Sequence, residues 1–183
     1  MNETRTSYTF NQCWDDVIED LHFYGGKDFV AKIAVFFFSV SFKMMFWYRI
    51  SRYFFLINKK PKAIHVFIKF RMNRLGGNEF SHKAIIGKRI RLPHPSGIVI
   101  GTGTIIDDDV TIFQQVTFGS HGRNNQQKNY PTIKSGVIIY AGAKIVGGVT
   151  IGKDAVIGAN SVVINDIPEK TTASGVPAKV RII

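Results

Sequence analysis

The chain has little cysteine, one long stretch without acid, and no apolar run long enough to cross a bilayer. Among its 183 residues Cys13 is the single cysteine. That excludes an internal disulfide framework and is compatible with a reducing compartment. No neighbouring residue is suited to activating the Cys13 thiol, so it reads as inert rather than as a nucleophile. Asp15, Asp16, Glu19 and Asp20 fall where a secretory signal needs apolar residues, and the expectation is a cytoplasmic protein. The nearest approach to a span, residues 33–42, lies between Lys32 and Lys43. It is far shorter than the ~18 residues that a crossing helix requires.

The missing acid is more telling. The formal net charge is +11, yet between Phe29 and Asn78 the chain carries no aspartate or glutamate at all. Lys32, Lys43, Arg49, Arg52, Lys59, Lys60, Lys62, Lys69, Arg71 and Arg74 all lie there, interleaved with Phe, Trp and Tyr. Such a stretch is either a solvated basic face or a surface for an anionic membrane or substrate. No nucleic-acid-binding motif accompanies it, so nucleic acid is not expected as a partner. A peripheral contact with the inner face of the membrane through residues 29–74 is the expectation that follows.

The chain changes its pattern near Gly76-Gly77, dividing it into residues 1–76 and 77–183. The first part reads as helices. Residues 29–57 are apolar on most sides, so their helices must be buried or lie in a lipid interface. Pro61 sits where a first-turn proline belongs. After it Lys62, His65, Lys69 and Asn73 form a polar stripe at helical spacing, opposite Ile64, Phe67, Ile68 and Leu75.

The second part repeats every six residues. Aliphatic residues step through Ile133, Ile139, Ile145, Ile151, Ile157 and Val163, and four places after each comes Val137, Ala143, Val149, Ala155, Ser161 or Ile167. Ile100, Ile106, Ile112 and Phe118 keep the same step earlier. A period of two would mean a strand and 3.6 a helix. A period of six suits a coil of three short strands with one inward residue in each, which must stack on further coils to bury its inner face. The expected architecture is a parallel β-helix prism, whose handedness the period does not give. The step slips by two residues between Ile98 and Ile100, and again across a polar loop at 119–132. A polar excursion from a rigid solenoid is a usual carrier of binding and chemistry.

With these motifs in view, the chain resembles a known family. The hexapeptide run, the segment Leu92-Pro-His-Pro-Ser-Gly-Ile-Val-Ile-Gly101, the loop from Gly119 and the ending Gly175-Val-Pro-Ala-Lys179 resemble the serine O-acetyltransferase group of hexapeptide acyltransferases. That resemblance implies a left-handed β-helix behind a short helical region, and a homotrimer or a pair of trimers. It implies acetyl-CoA as co-substrate, with no permanently bound cofactor or metal. His94 takes the place of the family's general base, and Glu79, fifteen residues earlier, that of its aspartate partner. A hydroxyl is a poor nucleophile at neutral pH, so an imidazole must take its proton, and a carboxylate orients the ring. Gly119, Ser120, Ala141, Ala159 and Lys179 correspond to the acetyl-CoA cleft.

The chain departs from the family at three acceptor positions. Pro93, Asn129 and Tyr130 stand where serine acetyltransferases have aspartate, arginine and histidine. Losing charged partners argues against a charged amino acid, while Asn129, Tyr130 and His121 would suit a neutral polyol. His121 reads equally as an exposed loop residue. The Pro-His-Pro-Ser-Gly variant looks closer to the acetyltransferases of capsular and exopolysaccharide synthesis. The expected acceptor is therefore a sugar hydroxyl of a surface polysaccharide or its precursor, with serine as the alternative. A β-helix metalloenzyme needs three histidines at metal-binding spacing, and His82, His94 and His121 do not supply it.

Overall fold

The computed structural model describes residues 8–57, 62–122 and 129–181. Pro61 and the middle of the polar loop, residues 123–128, lie outside the described residues. Among these residues four helices come first: α1 (Phe10–Gly25), α2 (Phe29–Phe38), α3 (Val40–Leu56) and α4 (Lys62–Arg74). Helix α1 opens on a capping box, with Thr9 and Gln12 exchanging side-chain-to-backbone bonds. Asp28 and Ser39 cap α2 and α3 in the same manner, each accepting from a backbone N–H three residues on. These oxygens satisfy donors that a helix start leaves unpaired.

Among the described residues fourteen short strands follow. Strands β1 (Glu79–Phe80), β2 (Ile85–Ile86), β3 (Val99–Ile100), β4 (Ile105–Ile106) and β5 (Thr111–Ile112) precede β6 (Thr117–Gly119), which leads into the polar loop. Beyond it lie β7 (Thr132–Ile133), β8 (Ile138–Ile139), β9 (Lys144–Val146), β10 (Thr150–Ile151) and β11 (Val156–Ile157). Strands β12 (Val162–Val163), β13 (Thr172–Ser174) and β14 (Lys179–Arg181) close the series. They form three sheets, ordered β1-β3-β6-β9-β12, β10-β7-β4-β2 and β14-β13-β11-β8-β5. The chain visits the three in turn, so each strand stacks on the one a coil earlier and the sheets are the walls of a prism. Pairing is parallel throughout except for β14, which runs antiparallel to β13.

The register explains the repeat. Lys144 pairs with Val162 and Thr132 with Thr150, so a regular coil is three hexapeptides long. Each inward aliphatic residue meets its equivalent one coil away, as Ile139 meets Ile157. Ile112, Phe118, Ile133, Ile139, Ile145 and Ile157 have no exposed surface at all, and the companion set from Val137 to Ile167 is buried too. Each such isoleucine contributes roughly 1.5–3 kcal/mol by leaving water. The slips also have structural counterparts. Glu79 pairs with Val99, so the coil carrying His94 is two residues longer than the regular one. Ile105 pairs with Thr132 across the loop.

Helices α1 and α3 cover the open end of the prism. The outer edge of the first coil has carbonyls with no further coil to pair them, and side chains from the helices satisfy them. Tyr48 donates to the Ala84 carbonyl at 2.8 Å and accepts from the Ile86 N–H at 3.0 Å. Arg49 donates to the carbonyls of Ile86 and Gly87 at 2.8 and 2.6 Å. Tyr24 and Ser41 donate to Ile90 and Leu92. Arg49 is also paired with the buried Asp20 at 3.0 Å, so it belongs to the core and not to the solvated basic set in which its sequence neighbours place it.

Helix α4 corrects a second expectation. Its buried residues are Ile68 and Met72, while Phe67 is 53% exposed. His65, assigned to the wet stripe, turns inward instead. It lies 3.1 Å from the Ser51 hydroxyl and stacks on His82 with centroids 4.3 Å apart. Packing against α3 and the first coil, and not the polar stripe, sets the rotation of this helix.

Candidate active site

His94 sits on the prism edge where the third sheet turns into the first, between Arg91, which bridges to Thr111, and Val99 of β3. The two additional residues of this coil make the turn that carries it, and the side chain is exposed. Along the same edge its ring lies 6.3 Å from that of Phe113, which stacks on Tyr140 at 5.1 Å. The next coil brings Gly158 and Ala159 to this edge, and the Ala141 carbonyl accepts from the Asn160 N–H at 2.8 Å. His94, Ala141 and Ala159 are therefore brought together on one line running up the prism. Gly142 beside them has φ +75°, and a Cβ there would fall 2.0 Å from the Asn160 Oδ1. Only glycine fits beneath that side chain.

The loop residues lie on a different edge, where the first sheet turns into the second. Gly119 ends β6 and its carbonyl accepts from the Gly147 N–H at 2.9 Å. The Ser120 hydroxyl accepts from the Gly122 N–H. His121 lies over Gly147, so closely that a Cβ at that glycine would overlap the imidazole ring. Tyr130 lies against the backbone of Gly101 and Gly103, where added Cβ atoms would come within 2.5 and 2.6 Å of its ring. Asn129 beside it is half-buried. A single chain thus divides the candidate residues between two edges of the prism.

Glu79 is on neither edge. It points outward from β1, where Lys69 of α4 holds its carboxylate at 2.7 Å. Among the described residues no hydrogen bond joins Glu79 to His94, so the carboxylate–imidazole pair that the resemblance implies is not formed in this structure. The glutamate is engaged by a helix that the resemblance did not place there. Lys179 is exposed on β14, opposite Ser174 of β13.

Sequence reading missed Phe113 and Tyr140. Each directly follows an inward isoleucine, and Ile112 is in register with Ile139, so coil-by-coil alignment would have placed them beside His94. It also missed the half-buried histidine pair. Burial pushes both the His65 and His82 imidazoles below their ordinary value, and for His82 the neighbouring His65, Lys83 and Arg52 add to the effect.

Residues 130–165 match the bacterial transferase hexapeptide (six repeats) family. A serine acetyltransferase of Buchnera aphidicola subsp. Acyrthosiphon pisum is 42% identical over 133 residues, covering 73% of this chain and 48% of that protein. A solved serine acetyltransferase in complex with CoA superposes with a TM-score of 0.78 at 32% identity, covering 94% of this chain and 71% of that one. One in complex with cysteine gives 0.82 at 32% identity, covering 94% and 67%. The chain therefore belongs to the hexapeptide-repeat acyltransferase family. Within it, these relatives are serine acetyltransferases, and the chain spans about half the length of the curated relatives it matches.

These relatives overturn the expectation of a polysaccharide acceptor and of a capsular role. Tyr130 supplies a physical reason as well. Its ring, expected to suit a neutral polyol, is packed onto the Gly101 and Gly103 backbone.

Proposed function

We propose that this chain transfers the acetyl group of acetyl-CoA to the hydroxyl of serine, with His94 as the general base. One observation carries the reading: a serine acetyltransferase in complex with CoA matches 94% of the chain at 32% identity. In this reading the serine oxygen attacks the thioester carbonyl while His94 accepts its proton. The same imidazole then returns a proton to the departing CoA sulfur, and no acyl-enzyme forms.

The division of residues between two edges supports a homotrimer, or a pair of trimers. An edge carrying His94, Ala141 and Ala159 then faces a neighbour's edge carrying Gly119, Ser120 and His121, and each cleft is completed between chains. Lys179 stands as a candidate contact for the CoA phosphates. With Pro93, Asn129 and Tyr130 at the acceptor positions, serine has fewer charged partners, and a high KM for serine is expected.

The test is release of CoA thiol from acetyl-CoA with free serine as acceptor, alongside light scattering. Turnover that depends on serine, by a trimer or hexamer, is the expected result. Absence of turnover with serine at any concentration, or full activity in a monomer, would overturn it.

A further inference from the structure

Helix α2 is ten residues of almost unbroken apolar sequence, FVAKIAVFFF, and not one of them is buried. Only Ala31, Lys32 and Val35 are half-buried, all on one side. At 3.6 residues per turn the exposed residues occupy roughly 200° of its circumference. Phe29, Val30 and Phe38 are 75%, 70% and 81% exposed. A helix of this composition normally packs into a core or lies in a lipid interface.

The apolar face does not stop at α2. Ring contacts run from Phe37 to Phe36 at 5.2 Å, on to Phe46 at 6.4 Å, to Trp47 at 5.2 Å and to Phe67 of α4 at 5.9 Å. Val66 and Phe70 of α4 are exposed as well. Three helices thus share one aromatic ridge. Its flanks are basic: Arg71 lies over Trp47 and Arg74 over Phe70, each at 5.8 Å, and Lys43 donates to the Phe37 carbonyl at the end of α2.

We infer that this ridge docks the protein reversibly onto an anionic lipid surface, with α2 lying in the headgroup plane. Charge selects this occupant over a second copy of the chain. Self-pairing would bring the basic flank of one copy, Arg71 and Arg74, towards the like-charged flank of the other, with no acid between Phe29 and Asn78 to offset it. A bilayer carrying anionic headgroups supplies both the apolar phase and the counter-charge, and each basic residue near it multiplies partitioning about fivefold. Aromatic rings at the level of the headgroups complete the match. Docking in the plane also fits the helix lengths. Among the described residues no single helix is long and apolar enough to cross a bilayer, and α2 meets α3 at a bend of 75°. Helix α3 is itself held to the coils by buried Met44, Met45 and Tyr48.

The experiment is flotation of the full chain with vesicles of mixed phosphatidylglycerol and phosphatidylcholine, and with phosphatidylcholine alone. The protein is expected to float with the anionic vesicles at low ionic strength and to be released by salt. Phe37→Glu with Phe38→Glu should lower that binding about tenfold or more, with the helical circular dichroism unchanged because both side chains are exposed. Arg74→Glu should weaken it with no change of oligomeric state. No flotation at low salt, or equal flotation with neutral vesicles, would overturn the inference. So would the Phe37/Phe38 variant halving the oligomer while leaving flotation intact, since the ridge would then join two copies of the chain. Serine turnover is read separately, so this test and that of the activity fail independently.

Discussion

Replacing His94 by alanine should separate chemistry from folding cleanly. The side chain is exposed, and among the described residues its ring neighbour is Phe113 at 6.3 Å. It carries no buried hydrogen bond that the fold would lose, so the change in stability should lie within about 0.5 kcal/mol. The rate is another matter. Loss of a general base costs roughly 10²–10⁴-fold, which is about 3–5 kcal/mol of transition-state stabilisation. Acetyl-CoA affinity should be nearly unchanged, because in the proposed cleft Gly119, Ala141 and Ala159 would offer only backbone and methyl groups to the pantetheine arm, and His94 would act on the acceptor. The defect should therefore appear in kcat with KM little altered. Thiol release gives kcat, calorimetry gives the acetyl-CoA Kd, and a thermal melt checks the fold. A variant that keeps kcat within about threefold of the parent refutes the assignment. His121, on the opposite edge over Gly147, is then the next candidate.

Glu79→Gln should lower kcat much less than His94→Ala does, because Lys69 and not His94 holds the carboxylate. Equal losses would mean that the glutamate swings onto the imidazole in the working enzyme. Arg49→Met should cost about 3–5 kcal/mol in urea unfolding, since it leaves Asp20 buried and unpaired together with two unsatisfied carbonyls. A loss below about 1 kcal/mol would show that the pair does not anchor the helices. Burial holds His65 and His82 below their ordinary 6.5, so both are neutral above that pH, folded or unfolded. Stability should then be lost as pH falls from 6.5 through their lower folded-state values. His82→Asn should flatten that decline in thermal melts, and an unaltered slope would clear the pair of responsibility.

The prism was legible because its signal repeats. Each coil restates the last, so Ile139, Ile145 and Ile151 confirm one another, and a slip such as that before Val99 stands out against the period. His94 was findable because the same slip produces it. The helical layer repeats nothing, and its orientation depends on partners far away in the chain. Nothing in residues 62–74 shows that Ile68 and Met72 face inward while Phe67 faces out. Nor does the basic run reveal that Asp20, 29 residues before Arg49, takes that guanidinium out of solvent. The partner of Glu79 was hidden for the same reason, since Lys69 reaches it only once α4 is docked. The acceptor was misread because substitutions at Pro93, Asn129 and Tyr130 were interpreted as vacated contacts. Tyr130 in fact fills the space over two glycines, a packing role invisible without the coil beneath it.

The helices that satisfy the first coil also bear on what this chain does in a crowded solution. A stack of short parallel strands with a bare end is a template, and any passing chain of the same kind could add its own coil about 4.8 Å further on. Repeated, that addition is the growth of a fibre. Here an arriving strand would find the carbonyls of Ala84, Ile86, Gly87, Ile90 and Leu92 already taken by Tyr48, Arg49, Tyr24 and Ser41. On the far side β14 doubles back antiparallel across β13, breaking the parallel pattern a new coil would need to copy. The same bonds that fix the helices to the prism therefore act as a stopper against the stacking of a further coil at that end.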